Sequence, residues 1–138
     1  QHWNIGKINR TSGVDSGVFR SPIWFDEGGN MYNHEDGWDH APYTTYAESG
    51  PIMIGDGDTI SKVNQVVPDE LTQGEATLTF KTRFYPNDVE RTYGPYSTAN
   101  PTSVRFSGRQ FRIRITGAEL VGWRFGIPRL NITQGGGR

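Results

Sequence analysis

An all-β fold of antiparallel strands, arranged as propeller-like blades or as a sandwich, is what this sequence predicts, on three observations. Glycine and proline are dense, 18 and 8 of 138 residues, and each weakens a helix interior, by entropy or by a lost N–H. Apolar and polar residues alternate at period two in the clearest stretches. Turn-forming dipeptides separate those stretches at spacings of about 8–12 residues, the rhythm of a sandwich, barrel or propeller.

The best-defined strands lie in the second half. Over 77–84, Leu78, Phe80 and Phe84 share one face while Thr77, Thr79, Lys81 and Arg83 share the other, the pattern of a half-buried antiparallel strand. Over 110–116, Phe111, Ile113 and Ile115 point one way and Gln110, Arg112, Arg114 and Thr116 the other. A final strand is expected through Trp123, Phe125 and Ile127, changing phase at Pro128 to Leu130 and Ile132, because proline marks a bulge or an edge. Shorter strands are expected over 18–26, 30–34, 43–48 and 52–54. The stretch 59–67 reads either as a strand or as a short helix through Ile60, Val63 and Val67. Between them stand turn formers that supply positive φ or a fixed corner: Gly28-Gly29, Asp36-Gly37, Ser49-Gly50-Pro51, Gly55-Asp56-Gly57-Asp58, Pro86-Asn87-Asp88, Ser107-Gly108 and Thr116-Gly117. Residues 95–101, rich in Tyr, Ser and Asn, are expected to project as a loop. No exact internal repeat is present, so propeller blades would have diverged.

A chain of 138 residues fits one core, so a single all-β module over 1–138 is expected. Its 17 aromatic residues and balanced charge exclude a disordered chain. Cysteine is absent, which excludes a disulfide framework and thiolate metal sites. No apolar run approaches the ~20 residues of a membrane span, and there is no signal peptide. The chain opens on Gln1 with Trp3 and Ile5 already alternating, and closes on Gly135-Gly136-Gly137-Arg138. Those features predict the carboxy-terminal part of a longer chain.

The net charge of −1 averages two opposed halves. Residues 1–90 hold 6 Lys/Arg against 14 Asp/Glu, a net of −8, whereas residues 91–138 hold 8 Arg, no Lys and one acid, Glu119, a net of +7. Guanidinium groups pair bidentately with carboxylates and are less costly to desolvate than ammonium groups. Such a division is met by pairing within the fold or between subunits, and less often by nucleic acid.

Candidate chemistry is sparse. The run Asn33-His34-Glu35-Asp36-Gly37-Trp38-Asp39-His40 holds the residue types of a metal or acid–base site, but its spacing matches no ligand pattern. Asp36-Gly37 reads more simply as a type I′ hairpin turn. Gly55-Asp56-Gly57-Asp58 lacks the distal Glu of a calcium loop, and Asp26-Glu27-Gly28-Gly29 also reads as a turn. No Cys, no Gly-x-Ser-x-Gly elbow and no phosphate-cradling loop is present. Asp69 and Glu70 are adjacent, so on a strand they point apart and make poor paired carboxylates. Asn131-Ile132-Thr133 fits a glycosylation sequon, a pattern frequent by chance. Neither catalysis nor a cofactor is therefore expected. Arg105, Arg109, Arg112, Arg114, Arg124 and Arg129, with Trp24 and Trp38, are the expected assembly-interface residues. Two further readings stay open: arginine rows tracking a phosphate backbone, and Trp24, Phe25, Trp38, Tyr43 and Tyr46 as a sugar-stacking platform against their commoner role as core and interface anchors.

Several motifs follow in one order along nearly the whole chain: Tyr32-Asn33-His34-Glu35-Asp36-Gly37-Trp38, Tyr46-Ala47-Glu48-Ser49-Gly50-Pro51, Val67-Pro68-Asp69-Glu70, Thr82-Arg83-Phe84-Tyr85-Pro86 and Gly94-Pro95-Tyr96. Arg105-Phe106-Ser107-Gly108-Arg109-Gln110 and Trp123-Arg124-Phe125-Gly126-Ile127-Pro128-Arg129-Leu130 complete the series before the Gly-rich end. The series resembles the carboxy-terminal region of a short-tailed bacteriophage tail structural protein, of the tail hub or packaged-DNA stabilisation type. The resemblance implies a multi-copy virion tail protein, assembled in the host cytoplasm, without catalytic residues or cofactor. Its implied partners are copies of itself and other tail proteins, with packaged DNA and host-surface glycan as further candidates.

Overall fold

The computed structural model describes residues 9–38, 44–54, 59–69, 75–118 and 122–137. Among them are eleven antiparallel strands and no helix, so the chain is all-β. No helix among them is long and apolar enough to cross a membrane. Where one module is expected, the chain divides into two compact units, Gln1–Gly37 and Trp38–Arg138.

The first unit is a three-stranded sheet in the order β1 (Ser12–Val14), β2 (Ile23–Phe25), β3 (Met31–Asn33). Gly13 pairs with Trp24, and a Cβ at Gly13 would lie 2.6 Å from the indole. The missing side chain is what lets the Trp24 ring cover β1. The β2–β3 turn is built by Asp26. Its carboxylate accepts from the Asn30 backbone N–H at 2.9 Å, the Asn30 amide at 3.0 Å and the Tyr32 hydroxyl at 2.9 Å, and Gly29 takes φ +78°. The strand expected over 18–26 contracts to Ile23–Phe25, because Val18 is 97% exposed and has nothing to pair with.

The second unit holds two sheets. One runs β4 (Tyr46–Glu48), β10 (Gln110–Gly117), β7 (Ala76–Arg83), β8 (Arg91–Ser97), with β5 (Ile52–Met53) also on β10; the other runs β11 (Arg129–Gly137), β6 (Thr59–Val67), β9 (Thr102–Gly108). Both contribute to one core of Ile54, Val63, Val66, Leu78, Phe80, Val104, Phe106 and Phe111. Phe80 is fully buried and lies 4.7 Å, centroid to centroid, from Phe106, with Tyr96 and Phe111 at 6.2 and 6.4 Å. Alternation along β7 buries Ala76, Leu78, Phe80 and Thr82.

One alternative is resolved and four expectations are revised. Residues 59–67 are a strand, because Ser61, Val63 and Val66 face the core and both neighbours pair with it. Residues 95–101 are not one loop. β8 continues through Pro95 by a bulge at Gly94, which has φ +112° and where a Cβ would lie 2.7 Å from the Leu78 carbonyl oxygen. The strand expected through Trp123 is only an isolated bridge at Arg124. Trp123 lies instead over Gly117, where a Cβ would meet the indole at 1.9 Å, and donates to Thr45 Oγ1 at 3.3 Å. The Gly-rich end is part of β11, and Gly135 passes so close to the Ile60 carbonyl that only glycine fits. Ser107-Gly108 is likewise no turn; β9 runs through it and the corner falls at Arg109.

Two substitutions test this core. Phe80→Ala is expected to cost about 3–5 kcal/mol in urea unfolding, since both sheets lose their shared ring. Thr82 is buried and its hydroxyl has no hydrogen-bond partner, so the near-isosteric Thr82→Val should leave the melting temperature unchanged or raise it.

Candidate assembly surface

Strands β6 to β11 carry eight Lys/Arg residues (Lys62, Lys81, Arg83, Arg91, Arg105, Arg112, Arg114, Arg129) and no Asp or Glu. The polar face of the β4-containing sheet concentrates four of them, Lys81, Arg83, Arg112 and Arg114. Period-two alternation dictates this, because every residue opposite a core position must face outward.

Glu48, at the end of β4 and opposite Arg114 in the register, organises that face. Its carboxylate lies 3.1 Å from Lys81 Nζ, 3.0 Å from Arg112 and 3.6 Å from Arg114. Its side chain is 17% exposed. Arg112 also pairs with Glu90. Arg114 stacks 3.9 Å above the Tyr46 ring, and Arg83 donates to Gln110 Oε1 and the Pro86 carbonyl, both at 2.8 Å. The Lys81 hydrogen bond, reinforced by the charges of Lys81, Arg112 and Arg114, holds the Glu48 carboxyl below its ordinary value of 4.5 against the opposing effect of burial. Bonding to Glu90 raises Arg112 further.

The structure therefore sorts the expected interface residues. Arg112 and Arg114 pair with acids of their own copy. Arg109 sits 5.1 Å from the Tyr85 ring and makes a further interaction. Arg105 on β9, Arg129 on β11 and Arg124 are exposed and have no partner among the described residues. Lys62 on β6 behaves alike, and charge counting over the second half alone missed it. The outer face of the β11-β6-β9 sheet joins Lys62 and Arg105 to Asn64, Ser103, Asn131 and Thr133, with Asn64 donating to Thr133 at 2.9 Å. It is cationic and hydroxyl- and amide-rich. Glu48, which sequence reading placed only within a motif, was not anticipated as the hub; its signal is that it is the sole acid in any strand of the second unit.

Trp24 is 37% exposed, half-covered by Gly13 and His34. Trp38 is 60% exposed and lies against Gly122. Tyr43, Asp39, His40, Glu70 and 55–58 lie outside the described residues. The expected type I′ turn at Asp36-Gly37 is replaced by positive φ at Glu35 (60°) and Gly37 (81°). Arg20, Asn33, Glu35 and Asp36 line an open depression of about 540 Å³ in the first unit, yet no three metal-ligating side chains converge among the described residues. Asp69 accepts from the Ile127 N–H at 3.3 Å, a structural use of that carboxylate. No family model, curated protein or solved structure matches the chain.

Glu48→Gln is expected to lower stability by about 1–2 kcal/mol at pH 7, the scale for removing a half-buried charge from several cations. Because the folded carboxyl is depressed, its contribution is complete above pH 4.5 and disappears as pH falls through the lowered value. Urea midpoints of wild type and Glu48→Gln should therefore differ at pH 7 and converge towards pH 3. Asp26, held at about 2 by the Asn30 and Tyr32 hydrogen bonds, predicts a second acid transition for the first unit between pH 3.8 and 2, absent from Asp26→Asn.

Proposed function

We propose that the chain is a non-catalytic assembly subunit of a short-tailed bacteriophage tail, incorporated into the virion in several copies and holding neighbours through charge. The observation that carries this reading is the division of the cations: strands β6 to β11 hold eight Lys/Arg and no acid, and Glu48 and Glu90 neutralise only part of them. Exposed cations on an acid-free sheet face suit an acidic neighbour, since complementary charge guides docking and register more than it adds affinity. The order of motifs along the chain points to the same class of protein. One core fed by both sheets favours a sandwich over radial blades for the second unit.

The test is the composition of purified virions by mass spectrometry, with the triple variant Lys62→Glu/Arg105→Glu/Arg129→Glu beside wild type. The expected result is the chain in wild-type particles and at least a tenfold loss from variant particles. A chain absent from wild-type particles overturns the reading. Retention of DNA that falls steeply with salt, and is lost in the same variant, would instead favour contact with packaged DNA.

The 60% exposure of Trp38 supports a second reading, a host-surface glycan-binding module. It requires Trp38→Ala to abolish glycan binding measured by intrinsic fluorescence.

A further inference from the structure

The strand edges of this chain are not equivalent. β8 is an edge, but its Gly94-Pro95 bulge breaks the ladder and Pro95 has no N–H to donate. The opposite edge of that sheet is split between β4 and β5. Ser49 bridges the gap by donating its N–H to the Ile113 carbonyl and accepting from the Ile113 N–H on its hydroxyl, and Pro51 interrupts the run. β1 and β3 are three residues each, too short to hold a partner alone. These are the usual ways in which proteins blunt an edge.

β11 has no proline and no break from Arg129 to Gln134, and the register shift between Asn131 and Ile132 leaves its extra residue, Asn64, on β6. It pairs with β6 on one side, and no described strand pairs with the other. From Arg129 to Gly136 its residues are exposed except for Leu130 and Gly135, which are half-buried, and Arg129 is the only charged residue between 129 and 137. The ladder to β6 is continuous on the β11 side until a register shift after Gln134.

We infer that this edge pairs, antiparallel, with the same edge of a second copy, joining two three-stranded sheets into one of six strands. A two-fold axis normal to the sheet keeps opposed residues on the same face, so it must pass midway between the two copies of one β11 residue. Centred on Asn131, Ile132 or Thr133, it sets Arg129 opposite Thr133, Gly135 or Gly137, and no like charges meet. On the other long edge of this sheet, β9, the charge is central and not terminal: pairing about Arg105, the register of greatest overlap, would oppose two guanidinium groups. The inference deepens the assembly reading by naming a second copy of this chain as the first partner. It adds backbone hydrogen bonds for affinity to the charge that guides docking.

The experiment is light scattering of the 138-residue chain between about 5 and 500 µM, a span of two decades in concentration that brackets micromolar association, with two variants. Asn131→Lys/Thr133→Lys opposes like charges in all three registers, and Arg129→Gln/Asn131→Glu/Thr133→Glu does the same with the opposite sign. Wild type is expected to dimerise, each variant alone to be monomeric with a wild-type far-ultraviolet spectrum, and their equimolar mixture to dimerise again. Because the chain has no cysteine, a thiol-reactive bifunctional cross-linker gives a readout that does not depend on charge: it should join copies of Thr133→Cys and not of Val89→Cys, whose side chain is 89% exposed. A monomeric wild type, a dimer indifferent to both charge variants, or cross-linking at Val89→Cys alone overturns the pairing. If such a chain is still present in virions, the edge inference fails and the assembly reading stands.

Discussion

Burial of Phe80 between the two sheets of the second unit is the constraint from which the other features follow. Its ring meets Phe106 from one sheet and Phe111 and Tyr96 from the other. Tilted aromatic pairs at these separations add to the area they bury. Once Phe80 points inward, the period of two forces Lys81 and Arg83 outward on β7, and the register carries Arg112 and Arg114 to the same outer face on β10. The cationic face is thus the reverse side of the aromatic core.

That face would repel itself without Glu48. Three cations within 3.6 Å of one carboxylate are tolerated because all four groups keep partial contact with water, where desolvation is modest and screening effective. Glu90 relieves Arg112 further. Compensation stops there: on the β11-β6-β9 sheet no acid accompanies Lys62, Arg105 or Arg129. Among the described residues the acids lie mostly outside the strands, as Asp26 and Asp88 do, where their oxygens accept backbone N–H groups and shape the chain locally. With its described acids mostly between strands and its cations along them, the second unit presents positive charge on the faces of its sheets.

Glycine has a complementary role in the second unit. At Gly117 and Gly135 the absent side chain admits a Trp123 ring or an Ile60 carbonyl, and at Gly94 it also permits a left-handed backbone. The same residue type that discourages helices therefore also creates the close approaches that finish the sheets.

Much of this was legible in the residues. Alternation identified β7 and β10 nearly to their ends, the acidic turn at Asp26 was read as a turn, and the weighting of arginines towards internal pairing holds for Arg112 and Arg114. Boundaries that depended on a partner strand were not legible: Val18 alternates plausibly but has nothing to bond to, and the Gly-rich end looks like a tail until β6 is placed beside it. The hub role of Glu48 was hidden for the same reason, since Lys81, Arg112 and Arg114 are 33, 64 and 66 positions away in the chain. Local chemistry, which acts between neighbours in sequence, determined that this protein is all-β and which face of each long strand is apolar. Register and pairing, which act between residues distant in sequence, decided which arginines are neutralised, which stay exposed and which edge is open.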